Sequence, residues 1–222
     1  MYKTKLIQLL STLTVDEYRR FKKVLKSPFF TTSSNLLKLY EILKKYHPSF
    51  EDKKLNKAYL YSRIFTNNKY NDNKMRMLIR DFTALVEDYL LWLDIKSHKQ
   101  EYNKRMLSVY LKRDLFTWYE RDRQRLLKEL GKQPYRDLEF YNELYHLDFD
   151  YFFHPLTPKN NLQDETLERL MDSIDNQFAL AKYRIHGEMK NRERIKNKRY
   201  ELRFIDAIHK EKEKGFLEGN VL

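Results

Sequence analysis

A chain that builds a sheet must reverse direction often, and tight reversals draw on glycine and proline for backbone angles that other residues resist. Here 222 residues hold only four glycines and five prolines. That scarcity argues against sandwiches, barrels and doubly wound sheets, which need frequent turn signals. Helical periodicity stands in their place. Met75, Leu78, Ile79, Phe82, Leu85, Val86, Tyr89, Leu90 and Leu93 recur at i, i+3, i+4 and i+7, the spacing of a buried helical stripe held for about five turns.

The first half carries clear helix punctuation. Residues 3–10 read as a short helix. Thr14-Val15-Asp16-Glu17 is a capping box, in which hydroxyl and carboxylate each satisfy the other residue's backbone N–H. The helix it opens runs to about Lys26 with Tyr18, Phe21, Val24 and Leu25 on one face, and Pro28 stops it at Ser27. Ser33, Ser34 or Asn35 caps a third helix bearing Leu36, Leu39, Tyr40 and Leu43. Phe29 and Phe30 therefore fall at a helix-to-helix corner, where at least one ring is expected in the core rather than offered to a ligand. A short helix follows over residues 55–65, and Asn71 or Asp72 opens the long one. Tyrosines such as Tyr18, Tyr40 and Tyr89 either line a concave groove or form the edge of the core with their hydroxyls at the surface.

From about residue 99 the rhythm changes to paired helices with short joints. Residues 100–112 pair with 115–130, and 137–153 follow. Asp164 opens a long helix to about Met189, with Leu167, Leu170, Met171, Ile174, Phe178, Ala181 and Ile185 expected inside. A last helix is expected over residues 200–212. The expected fold is all-α: an N-terminal helical subdomain, 1–98, and a region of antiparallel helix pairs, 99–222, forming an α-solenoid. The second half resembles tetratricopeptide architecture in outline, although that repeat's Trp, Gly, Tyr, Ala and Pro markers do not recur at its ~34-residue period. Phe21, Leu25, Ser27, Pro28 and Phe29, then Tyr70-Asn71-Asp72 before Lys74, and Met75-Arg76 through Leu90 carry a wider likeness. On those residues most of the chain resembles an uncharacterised helical-repeat family of Bacteroidota proteins. The resemblance implies the fold and no activity.

Several chemistries lack their residues in this sequence. It contains no cysteine, so disulfides, thiolate zinc sites and cysteine nucleophiles are excluded. Gly131, Gly187, Gly215 and Gly219 form neither G-x-G-x-x-G nor a P-loop, and neither H-E-x-x-H nor G-x-S-x-G occurs. No apolar run reaches the ~20 residues of a membrane span. The first 17 residues read as helix rather than signal peptide, and the expected compartment is the cytoplasm. Lys and Arg number 44 against 32 Asp and Glu, a formal charge of +12, which attracts polyanions: nucleic acid, an anionic membrane or an acidic protein face.

Three sets of residues are candidates for chemistry or contact. His146, Asp150 and His154, with Glu143 one turn earlier, fall at the i, i+4, i+8 spacing by which helical bundles hold metals. An ordinary surface pair and a histidine at a helix C-terminus account for the same residues, and that explanation is preferred. Arg192, Lys196, Arg199 and Arg203 make one basic stripe if their segment is helical, able to follow a phosphate backbone, or else a solvated helix end. Lys74, Arg76 and Arg80 open the second helix of a helix-turn-helix candidate, although Met75, Leu78, Ile79 and Phe82 turn that helix toward a core. The expected function is a non-catalytic scaffold for a protein or peptide partner, preferably acidic, with no cofactor and no membrane. Nucleic-acid binding through the basic surface is the alternative.

Overall fold

A computed structural model describes residues 4–51, 55–66, 69–158, 164–196, 199–214 and 216. Among them run ten α-helices, one short 3₁₀ turn and no β-strand. The helices are α1 (Lys5–Thr12), α2 (Val15–Lys26), α3 (Ser34–Leu43), α4 (Lys57–Ile64), α5 (Asp72–Ser97), α6 (Lys99–Leu111), α7 (Phe116–Leu130), α8 (Leu138–Phe152), α9 (Asp164–Lys196) and α10 (Ile205–Glu213). None of the described helices is long and apolar enough to cross a membrane. The chain divides into two compact units, Met1–Tyr102 and Asn103–Leu222.

In the first unit the local signals produce the elements they encode. The Thr14 hydroxyl accepts from the Glu17 backbone N–H at 3.2 Å, and the Glu17 carboxylate accepts from the Thr14 N–H at 2.8 Å. Two backbone donors at the start of α2 are thus satisfied. Asn71 Oδ1 accepts from the Lys74 N–H at 2.9 Å and starts α5. Ser33 stands at the N-cap of α3 but makes no side-chain cap; its own N–H is drawn to Thr31 Oγ1 at 3.1 Å instead. α5 packs against α1, α2, α3 and α4, and its Met75, Phe82 and Val86 are fully enclosed.

The three tyrosines singled out in this unit are core rather than core edge. Tyr18, Tyr40 and Tyr89 are buried with their hydroxyls. Tyr40 Oη donates to the Tyr18 carbonyl at 3.1 Å and Tyr89 Oη to the Glu17 carbonyl at 3.0 Å. For Tyr40 and Tyr89 backbone oxygens of α2 take the place of water, whereas the buried Tyr18 hydroxyl has no hydrogen-bond partner among the described residues. Burial pushes the Tyr18 phenol far above its ordinary range.

The second unit is held differently. Arg123 on α7 reaches Leu147 and Asp148 on α8, and Tyr151 reaches back to Glu120, so the residue numbers in contact rise on one helix as they fall on the other. These two helices are antiparallel. Arg169 with Asp148 and Gln177 with Tyr141 give α8 and α9 the same relation. α10 departs from it: Phe178 meets Phe204 and Tyr183 meets His209 at a constant offset, so α10 runs parallel to α9. It is also shorter than the expected 200–212 helix, because the chain first has to return along α9 before Phe204 reaches Phe178.

The apolar residues expected inside α9 are mostly outside. Leu167, Met171, Ile174, Phe178 and Ile185 are between 43% and 58% exposed, while Thr166, Leu170, Ser173, Asn176, Ala179 and Leu180 are buried. The physical reason lies in the polar bonds to α8. Arg169 chelates Asp148 through Nε and Nη2, both at 2.9 Å, and Gln177 Nε2 donates to the Tyr141 carbonyl at 3.1 Å. Those bonds fix the rotation of α9, and the small, wholly buried Ser173 sits on the face they select.

Candidate functional site

The corner after α2 does not bury its aromatics. The Ser27 carbonyl accepts from the N–H groups of Phe30 (3.1 Å) and Thr31 (3.2 Å), a tight turn that Pro28 initiates. Leu25 and Leu36 on either side are buried and close the joint. Phe29 is left 87% exposed and Phe30 48% exposed. Their rings meet edge to face, with centroids 5.1 Å apart. The expectation that one of them plugs the core is overturned: the turn is closed by backbone hydrogen bonds and needs no ring beneath it. Lys23 and Lys26 lie in the last turn of α2 just before it. An aromatic pair on a hydrogen-bonded turn that follows two cations is suited to an apolar residue flanked by carboxylates.

Lys74, Arg76 and Arg80 lie on the outer side of α5, with carboxylate or aromatic neighbours. Arg76 Nε bonds Asp72 Oδ2 at 2.6 Å, Arg80 bonds Asp81 at 2.9 Å, and the Lys74 ammonium lies 4.3 Å from the centre of the Phe65 ring. Met75, Leu78 and Phe82 bury the other side of the same turns.

In the second unit the metal-spaced row is dispersed. α8 ends at Phe152, so His154 has left the helical face that carries His146 and Asp150. Its ring stacks on Phe116 at 5.3 Å, and Nδ1 accepts from the Leu156 N–H at 3.2 Å. Glu143 is paired with Lys104 at 2.5 Å. The Asp150 carboxyl is raised in pKa, mainly by desolvation, with His146 and His154 opposing. Among the described residues no three His, Asp or Glu side chains gather as ligands.

The basic stripe is also broken. α9 ends at Lys196, so Arg199 and Arg203 do not continue its face; residues 197 and 198 lie outside the described residues. By Tyr200 the chain has turned, because its N–H donates to Glu193 Oε1 at 3.1 Å. Arg192 bonds Glu188 at 2.9 Å, Lys190 bonds Glu193 at 2.9 Å and Arg203 bonds Glu201 at 3.0 Å. Three of the local cations, Lys190, Arg192 and Arg203, therefore face carboxylates of their own segment.

What replaces these sites is apolar surface. Leu167, Met171, Ile174 and Phe178 line the outer side of α9, and the Phe178 ring meets Phe204, itself exposed and left-handed at φ 66°. Beside them a groove of about 690 Å³ runs between α9 and α10, lined by Asp175, Phe178, Ala179, Phe204 and Ile208. A sequence signal for this existed. Leu170 and Leu180 fall off the seam made by the other apolar residues, so α9 carries two apolar faces and one core cannot cover both.

The unit's buried charges are structural in their geometry. Asp148, fully enclosed, takes Arg123 Nη2 at 2.5 Å and both Arg169 bonds, while Arg123 Nε donates to the Leu147 carbonyl at 2.7 Å. The Arg123 guanidinium lies 4.1 Å from the centre of the Tyr151 ring. Every Asp148 bond goes to protein, and the hydrogen bonds to Asp148 raise the Arg169 guanidinium pKa further. Comparison with family models, curated proteins and solved structures gives no match for this chain.

Proposed function

We propose that this chain is a non-catalytic, cytoplasmic protein-interaction module, a helical-repeat scaffold of the tetratricopeptide kind in outline, whose first unit binds acidic protein segments. One observation carries the reading: Phe29 and Phe30 stand side by side in solvent on a hydrogen-bonded turn, at 87% and 48% exposure. Two adjacent large rings exposed without a structural need are the usual composition of a binding surface. Lys23 and Lys26, in the last turn of α2 before them, on a chain of formal charge +12, favour carboxylates. A partner segment with a leucine or phenylalanine between glutamates fits both features.

The test is anisotropy with a fluorescein-labelled peptide of alternating Leu and Glu, compared with labelled duplex DNA, each at low and physiological salt. The peptide is expected to bind, and Phe29→Ser with Phe30→Ser is expected to weaken it at least ~10-fold, the range of a small hot spot, with the unfolding curve unchanged. Equal peptide affinity for wild type and variant would overturn the reading. So would duplex binding that falls steeply with salt and ignores the two phenylalanines, which would put nucleic acid in the partner's place.

A further inference from the structure

We infer that a second copy of this chain covers the exposed face of α9, the two helices pairing antiparallel about a two-fold axis near Asn176. The inference concerns the second unit and stands apart from the acidic-segment site of the first.

The exposed seam has coiled-coil spacing. Leu167, Met171, Ile174, Phe178, Ala181 and Ile185 follow one another by four, three, four, three and four residues, the a/d pattern of a helix that pairs with another. Five of the six are exposed, and Ala181 is half-buried. The seam extends about 27 Å, 18 residues at 1.5 Å each. A seam with this spacing calls for another helix; α10 borders it at Phe178, through Phe204, and among the described residues no helix of this unit covers the rest.

The pattern is also self-complementary in one direction only. With the axis near Asn176, Leu167 of one copy faces Ile185 of the other, Met171 faces Ala181, and Ile174 faces Phe178. Each layer then joins an a position to a d position, as antiparallel pairing requires, and Met171 fills the space beside the small Ala181. A parallel pair would set Phe178 on Phe178 and Ala181 on Ala181, one layer overfilled and the next empty. Charge agrees with the antiparallel choice. The flanking positions bring Glu168 opposite Lys182 of the other copy twice over, once on each side of the axis, and such cross-seam pairs set orientation. One cost is visible: Asp175 meets its own counterpart at the axis. Six apolar side chains per copy lie at the small end of specific interfaces, so dissociation is expected on the order of micromolar.

Sedimentation of the purified full chain from about 2 to 200 µM, a range bracketing that constant, should show the mass climbing from 27.5 kDa toward twice that value. Ile174→Lys with Phe178→Lys should hold it monomeric with an unchanged circular dichroism spectrum, since both residues are exposed in the single chain. Asp175→Asn should tighten the pair about two-fold by removing a like-charge contact. The cysteine-free sequence allows a register test by oxidation. Asp175→Cys should cross-link to its own counterpart, while Leu167→Cys should not, its counterpart lying far along the helix. A monomer at every concentration overturns the inference, as does a dimer indifferent to Ile174→Lys with Phe178→Lys. Efficient cross-linking of Leu167→Cys overturns it as well, because that result requires a parallel pair. None of these results bears on peptide binding at Phe29 and Phe30, so the two proposals fail separately.

Discussion

The two units of this molecule spend their apolar residues in opposite ways. The first gathers leucines, phenylalanines and even tyrosines into one dry cluster around α5, with Phe21, Leu39, Tyr40 and Phe82 wholly enclosed. The second encloses fewer apolar side chains and places the triad Arg123, Asp148 and Arg169 where three helices meet, while Leu167, Met171, Ile174 and Phe178 stay outside. In the first unit hydrophobic burial alone chooses which helix faces turn inward. In the second, the hydrogen-bonding demand of a buried carboxylate chooses the face of α9, because an unpaired Asp148 would cost more than several half-exposed apolar side chains.

The strongest way to break that contrast is Asp148→Ala. It should lower the stability of the second unit by about 3–5 kcal/mol, the cost of leaving a buried guanidinium unpaired. Urea unfolding read at Trp118 in a Trp92→Phe background isolates that unit, and replacing the whole triad by Met and Leu should recover most of the loss. A cost below about 1 kcal/mol would mean that the triad does not orient α9. Next in size, Leu170→Ala should cost about 2–5 kcal/mol as a cavity in a packed core. Ile174→Ala, one turn away, should stay within about 0.5 kcal/mol below the concentration at which copies pair. Equal effects at the two positions would erase the distinction between the buried and the exposed face.

The first unit should answer polar changes more mildly. Tyr89→Phe removes the donor to the Glu17 carbonyl and should cost about 1 kcal/mol, measured by the shift in urea midpoint at unchanged slope. Smallest is Glu17→Gln. The backbone N–H of Thr14, followed by its hydroxyl, holds the Glu17 carboxyl below its ordinary value. A carboxyl depressed in the folded state adds stability that is present above its unfolded pKa and lost as pH falls through the folded one. Wild type should therefore exceed Glu17→Gln by about 0.5 kcal/mol at pH 6, a screened and exposed contribution. The two should converge in acid, and a gap that persists at pH 2 would show that the charge of Glu17 is not its source.

Helices were legible wherever their causes lie within a few residues. The Thr14–Glu17 box, the stop before Pro28 and the cap at Asn71 all appear where the chain encodes them, because caps and proline act through adjacent backbone groups. Candidate sites were less legible, since each depended on a helix persisting or on a face being chosen. His154 and Arg199 fell past helix ends, the first at the stop before Pro155 and the second where the chain turns back to Glu193. Phe29 and Phe30 were misplaced because a turn closed by the Ser27 carbonyl leaves no room for judging burial from aromatic content.

By itself, then, the sequence determined that this protein is all-helical, where most of its helices begin, and which side of α5 is inside. Those properties follow from local backbone chemistry and from a helix with a single apolar face. Only the tertiary structure decided which of the two apolar faces of α9 meets its neighbours, that α10 runs parallel to α9, and that Phe29 and Phe30 face solvent. The first two turn on partners distant in the chain; the third turns on how the chain closes its turn at Ser27. Periodicity can say that a face is apolar, but the hydrogen bonds of Asp148 and Tyr141 decide whether that face is buried or left for another molecule.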